Sequence, residues 1–387
     1  MTGRLRSLDV FRGATVALMI AVNNPGSWAH LYPPLAHAGW HGCTPTDLVF
    51  PFFLFAVGQA LALVLPGLRA GPPALFWERV ARRTLLIFAI GLFLNAAPFV
   101  RWDEGGALVL RSWETLRIMG VLQRIALCCG AAAVIVWLFD RRGVLLAAAA
   151  LLLAYAWASA ALGDPADPYG LLGWFGTAID RQILGAAHLY RGEGLAFDPE
   201  GLASTPPAVA QVLLGWWVGD RMRREKPGAE LMVWLCMVGT GLLVAGYLWQ
   251  LELPFNKKIW TSSYVLHSTG LATLALAALF QFIDVAPQAA KTPAWMQVLE
   301  AFGRNPLFVF VLSGFVPRVL ALFRWADGFN ANGTVHWTSP LPWVYQSLFA
   351  NLGSDPRLGS FLFAAANLSV YALLVLELDR RQVYIRV

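Results

Sequence analysis

The stretch Asp47-Leu-Val-Phe-Pro-Phe-Phe-Leu-Phe-Ala-Val-Gly-Gln-Ala-Leu-Ala-Leu-Val-Leu-Pro66 decides the class of fold. After its opening aspartate it carries no charge, and Gln59 is its one polar side chain. A run of about 20 apolar residues is what a hydrocarbon core requires of a spanning helix. Comparable runs recur at 8–24, 83–100, 117–139, 143–163, 204–219, 231–250, 260–283, 304–323 and 357–378, which with 47–66 makes ten predicted spans. A shorter apolar piece at 343–351 is too short to cross, so eleven spans is the alternative count. Composition agrees: of 387 residues, 58% are hydrophobic and 13% charged, and mean hydropathy is +0.57. A soluble domain is about one-quarter charged and could not hide this much apolar surface in one core. The sequence predicts an all-α polytopic transmembrane bundle, one domain over 1–387, with 164–203 as an extracytoplasmic cap.

The formal charge of +6 reads as topology before it reads as a partner, and no nucleic acid is expected. Arg69, Arg79, Arg82, Arg83, Arg141, Arg142, Arg221, Arg223, Arg224, Lys226, Arg380 and Arg381 fall on one side of alternating spans, with Arg4, Arg6, Lys291 and Arg386. The first loop on the other side, 25–46, has no Lys or Arg. Both termini are therefore predicted cytoplasmic in a multi-pass protein of a bacterial inner membrane, with the lipid bilayer as partner. Asp9 and Arg12 in the first span, and no small-residue cleavage site after it, predict a retained signal anchor. Of Cys43, Cys128, Cys129 and Cys236, three lie in apolar runs and two are adjacent, so no disulfide framework is predicted.

Ionisable groups within spans are expensive and are candidates for chemistry. They are Asp9, Arg12, Asp47, Arg117, Arg124, His267, Arg304 and Arg318, unless they pair with one another to fix helix register. The densest stretch is the loop His37-Ala-Gly-Trp-His-Gly-Cys-Thr-Pro-Thr-Asp47, two histidines and a tryptophan ahead of an aspartate that opens a helix. Histidine serves as base, acid or nucleophile near neutral pH, and a neighbouring carboxylate fixes its tautomer. A metal is not predicted: Pro33-Pro34, Gly39 and Gly42 keep His37 and His41 off a common helix face, and no third ligand stands out.

Arg4-Leu-Arg-Ser-Leu-Asp-Val-Phe-Arg-Gly13, Val22-Asn23, the His37 to Pro51 motif and Arg117-Ile-Met-Gly-Val-Leu-Gln-Arg124 follow one another in order. Asp198-Pro-Glu-Gly201, Trp260-Thr-Ser-Ser-Tyr264 and Arg304-Asn-Pro306 come after them. Together they resemble the heparan-α-glucosaminide N-acetyltransferase family of transmembrane acyltransferases, in a minimal bacterial form without the additional N-terminal domain of the lysosomal enzyme. The resemblance implies transfer of acetyl from cytoplasmic acetyl-CoA, as co-substrate, to an amino sugar such as glucosamine or a glucosamine-containing glycan on the far side. Its active histidine, in an H-x-x-W motif, falls on His37, its aspartate on Asp47 and its asparagine on Asn23; where the family has Asn after the Trp, this chain has His41. Trp40, His41 and His267 are assigned to the acceptor. Guanidinium groups suit phosphate, so Arg12 and Arg304, with Asn305, are assigned to the nucleotide end of CoA, and Arg124 to a channel for its pantetheine arm.

Two routes use the same residues: His37 becomes an acyl-imidazole, or acts as general base in a ternary complex. The ternary route is preferred because no second base stands out beside His37. The reading from another class is a proton-coupled sugar transporter built on Asp47, Arg124 and His267; the missing internal repeat counts against it. A homodimer is expected from symmetry statistics alone.

Overall fold

A computed structural model describes residues 5–103, 105–285, 292–330 and 333–385; Arg4, Lys291 and Arg386 of the basic set lie outside the described residues. Each of the ten apolar runs is helical over most of its length. They are α1 (Arg6–Asn23), α2 (Val49–Arg69), α3 (Pro73–Ala96), α4 (Val121–Leu138) and α5 (Arg141–Leu162). After a short α6 (Phe175–Leu184) come α7 (Thr205–Arg224), α8 (Ala229–Trp249) and α9 (Ser262–Phe280). An amphipathic α10 (Ala294–Arg304), α11 (Pro306–Leu320), a one-turn α12 (Pro340–Val344) and α13 (Pro356–Arg380) complete the order. Two small antiparallel hairpins, β1–β2 (Val100–Trp102, Leu108–Leu110) and β3–β4 (Trp325–Phe329, Val335–Thr338), sit in loops.

Six of these helical segments are long and apolar enough to cross a membrane: Pro45–Arg69, Val121–Leu138, Arg141–Leu162, Ala229–Trp249, Ser262–Val285 and Pro356–Arg380. The pair α10–α11, bent by 85°, makes a seventh if taken as one span. The expected count of ten is corrected to this extent. α1 and α3 carry Arg6, Asp9 and Arg12, and Glu78, Arg79, Arg82 and Arg83, respectively, while α7 opens on Pro206-Pro207 and holds Gln211 and Asp220. Charge in these helices dilutes their hydropathy, and the expected span 304–323 is a 15-residue helix bent sharply from its predecessor.

Packing relies on backbone approach at glycine. A β-carbon on Gly58 of α2 would overlap the Val212 carbonyl of α7, and one on Gly215 of α7 would overlap the Phe55 carbonyl of α2. Small residues of this kind let helices in a membrane meet backbone to backbone, where apolar burial supplies no driving force between them. One core joins α1, α2, α4 and α7 through Ile20, Leu54, Ala126 and Leu213. Arg69 donates to the carbonyl of Val136 at 2.5 Å, and Asp220 receives Arg223 at 3.0 Å and Arg224 at 2.9 Å. These contacts draw the basic helix ends together; we call this the arginine end. The loops 24–48, 97–120, 163–204 and 250–261 gather at the other, the cap end.

Candidate active site

The loop between α1 and α2 is built around one carboxylate. Thr44-Pro45 starts a tight helical turn that leads into α2, and Asp47 is its third residue. Asp47 Oδ2 accepts the backbone N–H of Thr44 at 3.1 Å and of Ala38 at 3.0 Å. Oδ1 lies 2.7 Å from His37 Nδ1. The carboxylate side chain is 2% exposed against 39% for the imidazole, so the acid is internal and the ring reaches the cavity. In the tautomer protonated at Nδ1, the ring donates to Asp47 and Nε2 keeps a free lone pair. From below, the Tyr264 hydroxyl of α9 donates to the Asp47 carbonyl at 2.6 Å.

The loop 250–261 supplies the opposite wall. Lys257 Nζ stands 3.1 Å from His37 Nδ1 and 3.5 Å from Asp47 Oδ1. Burial lowers the Lys257 pKa, with Asp47 and Glu200 pulling the other way. Lys258 donates to the Gly39 carbonyl and to Glu193, both at 2.7 Å, with its ammonium 5.7 Å from the Trp40 ring centroid. Trp40 donates its indole N–H to the Tyr169 carbonyl at 2.9 Å and packs on Phe197. Cys43, pushed up to about 12 by burial and then by Asp47, stays a neutral thiol.

His37, Trp40, Asp47, Lys257 and Lys258 line a cavity of about 250 Å³ whose other wall is Arg117, Tyr190 and Glu200. Arg117 lies ahead of α4 and not within the span assigned to it. It binds Asp198 through Nε at 2.9 Å and Nη2 at 2.6 Å, and Glu200 at 2.5 Å. Burial works against its charge, but these carboxylates more than offset that and raise its pKa. A second cavity of about 370 Å³ shares Arg117 and Val121 with the first and adds Asn23, Asn95, Gln123 and Arg318. A third, about 540 Å³, lies toward the arginine end and combines Arg12, Arg79, Arg82 and Arg83 with an apolar lining. Helix α4 walls all three, through Val121, then Leu122, then Ile125, Cys129 and Ala133. At 1.5 Å per residue that file is about 18 Å long.

The structure thus brings together His37, Asp47 and Trp40, and sets Asn23 in the adjoining cavity. His41 faces Asn256 across 3.5 Å and its pKa is lowered by burial, against the pull of Asp167. His267 stacks on Phe255 at 4.4 Å, apart from the His37 cavity. Arg124 is fully buried, donates to the Gly201 carbonyl and to Ser204, and lies 5.4 Å from the Trp260 ring centroid, so it braces the cap. Arg12 lines the third cavity while donating to Asp9 and the Gly303 carbonyl. Arg304 holds Asp379 at 2.6 Å, and Asn305 holds the chain after α13 through the Val383 carbonyl and Ile385 N–H. Sequence reading missed Lys257. The signal was there: Lys257-Lys258 is half of the chain's four lysines, and it lies on the side that charge bias should leave poor in them.

A helical bundle with six or seven candidate spans fits a polytopic membrane protein, and it sets a histidine–carboxylate pair on the wall of a cavity. Residues 4–190 match the family described as heparan-alpha-glucosaminide N-acetyltransferase, catalytic. Proteins named heparan-alpha-glucosaminide N-acetyltransferase from Homo sapiens and Mus musculus are each 27% identical over 361 residues, which covers 80% of this chain. The same alignments cover 52% and 53% of those proteins, so the chain spans about half the length of these relatives. The chain is thus similar to that family over residues 4–190, and the matched segment contains His37, Asp47 and Arg117.

Proposed function

We propose that this protein moves an acetyl group from acetyl-CoA, admitted at a cytoplasmic arginine end, to the amine of an amino sugar at the cap end of a bacterial inner membrane. The observation that carries the reading is the file of three cavities along α4, arginine-rich at one end and holding His37 at the other. The residues suit a long donor with anionic and neutral parts. Arg12, Arg79, Arg82 and Arg83 would hold the phosphates, and the carboxamides of Asn23, Asn95 and Gln123 offer hydrogen bonds to the amides of the pantetheine arm. The thioester then reaches the His37 cavity. Arg304 and Asn305, engaged with Asp379 and the chain after α13, support the arginine end from outside the third cavity.

His37 Nε2 takes the proton of the attacking amine as nitrogen bonds to the thioester carbonyl carbon. The C–S bond breaks, and CoA leaves as the thiol when its thiolate takes that proton from the His37 imidazolium. Asp47 holds Nδ1–H throughout, which keeps Nε2 the basic atom and favours the imidazolium that forms. An acyl-imidazole route uses the same lone pair. On the acceptor side, Trp40 and Tyr190 offer ring faces for a sugar.

The test is transfer by the purified protein in bilayer discs, given radiolabelled acetyl-CoA and glucosamine or its oligomers. We expect N-acetylated product, and a loss in kcat/KM of roughly 10²–10⁴-fold in His37→Ala. Absence of transfer to any amino sugar by folded wild-type protein overturns the proposal. Label retained on the protein without acceptor, and absent in His37→Ala, selects the acyl-imidazole route.

A further inference from the structure

We propose that Lys257 is a positioning residue for His37, its ammonium balancing Asp47 so that the imidazole stays oriented by the carboxylate yet unprotonated at Nε2. The inference rests on the proposed role of His37, but its geometry stands apart from the identity of the substrate.

Lys257 Nζ is 3.5 Å from Asp47 Oδ1 and 3.1 Å from His37 Nδ1, and all three line one cavity. Nδ1 has one proton to place. With the Nδ1 proton donated to the Asp47 carboxylate, the ammonium cannot donate to Nδ1, and the partner left to it is that same carboxylate. A carboxylate alone at 2.7 Å would draw a second proton onto the ring and fill the lone pair that the reaction needs. A cation beside Nδ1 opposes that proton by direct repulsion while leaving the Nδ1–H to Asp47 bond in place. Asp47 then orients the base without saturating it.

The groups around Lys257 make the balance specific. From the loop before α2 come His37, Cys43 and Asp47; from the cap comes Glu200, itself held by Arg117 at 2.5 Å. Lys258, its neighbour, is committed to Glu193 and the Gly39 carbonyl. Cys43 is a thiol, so Asp47 is the anion with which Lys257 makes a direct charge contact.

The experiment compares Lys257→Met and Lys257→Arg with wild type over pH 5.5–9.5. In Lys257→Met the acid limb of kcat/KM should move up by about one pH unit, so that activity lost near neutrality returns at pH 9, with KM for acetyl-CoA unchanged. Lys257→Arg, which keeps the charge, should restore the wild-type profile. A second readout needs no turnover: ethoxycarbonylation of His37 by diethyl pyrocarbonate, followed on the His37 peptide by mass spectrometry, with His37→Gln as blank. Its half-maximal pH should rise by the same amount in Lys257→Met. An equal loss at every pH, or a His37 reactivity profile that does not move, overturns the assignment. Wild-type protein without transferase activity sinks the proposed function, and the ethoxycarbonylation profile still decides the role of Lys257.

Discussion

Asp47 divides its work between two oxygens. Oδ2 closes the turn that begins α2, through the N–H groups of Ala38 and Thr44, and Oδ1 orients His37. In Asp47→Asn the amide oxygen is drawn to the two backbone donors, which turns the NH₂ toward Nδ1. That arrangement demands an Nδ1 lone pair and moves the ring proton to Nε2, where the reaction needs a base. We expect kcat to fall by roughly 10²–10⁴-fold with helical circular dichroism unchanged. Asp180 in the cap carries a second residue-scale consequence. Its side chain is 1% exposed, Oδ1 accepts the Ala203 N–H at 3.0 Å, and burial pushes its pKa up to about 6. A carboxyl raised on folding binds more protons folded than unfolded, so its contribution falls as pH rises from about 4 through about 6. Asp180→Asn removes that penalty. Its melting temperature should exceed wild type at pH 7 by the equivalent of about 2 kcal/mol, and the gap should close near pH 4.

Among elements, the α2–α7 contact is the tightest constraint near the site. Gly215→Val places branched carbons against the Phe55 backbone, which cannot yield as a flexible side chain would. Overpacking of this kind costs about 1–3 kcal/mol, read as a lower melting temperature in detergent, while Gly241→Ala, with open space around it, should be silent. The positions of all ten long helices were legible in hydropathy, because a run such as Leu48 to Pro66 has one stable home. The His37–Asp47 pairing was legible too, since the partners lie ten residues apart in one loop. Partners far apart in the chain were not. Arg304 reads as a free phosphate ligand until Asp379, 75 residues on, is seen beside it. Lys257 lies 220 residues from His37 and only the fold joins them. The bend between α10 and α11 escaped for a different reason: hydropathy reports how apolar a segment is and not the direction of its axis.

For the molecule as a whole, the order of the cavities assigns different kinetics to its two ends. Arg79, Arg82 and Arg83 line only the third cavity, so neutralising them as a triple Gln variant should raise KM for acetyl-CoA by about tenfold and leave kcat intact. Added salt should weaken donor binding in wild type more than in the variant. Steady-state kinetics at two ionic strengths check both. The glycine contact between α2 and α7 carries a consequence for the surrounding lipid. Asp47 is fixed to the first turn of α2, the Tyr264 hydroxyl of α9 grips its carbonyl, and α2 meets α7 backbone to backbone. A bilayer of unusual thickness is accommodated by helix tilt, but these helices tilt as one body. His37 and Asp47 travel with them, so acyl-chain length reorients this pair within the membrane without opening the gap between its atoms.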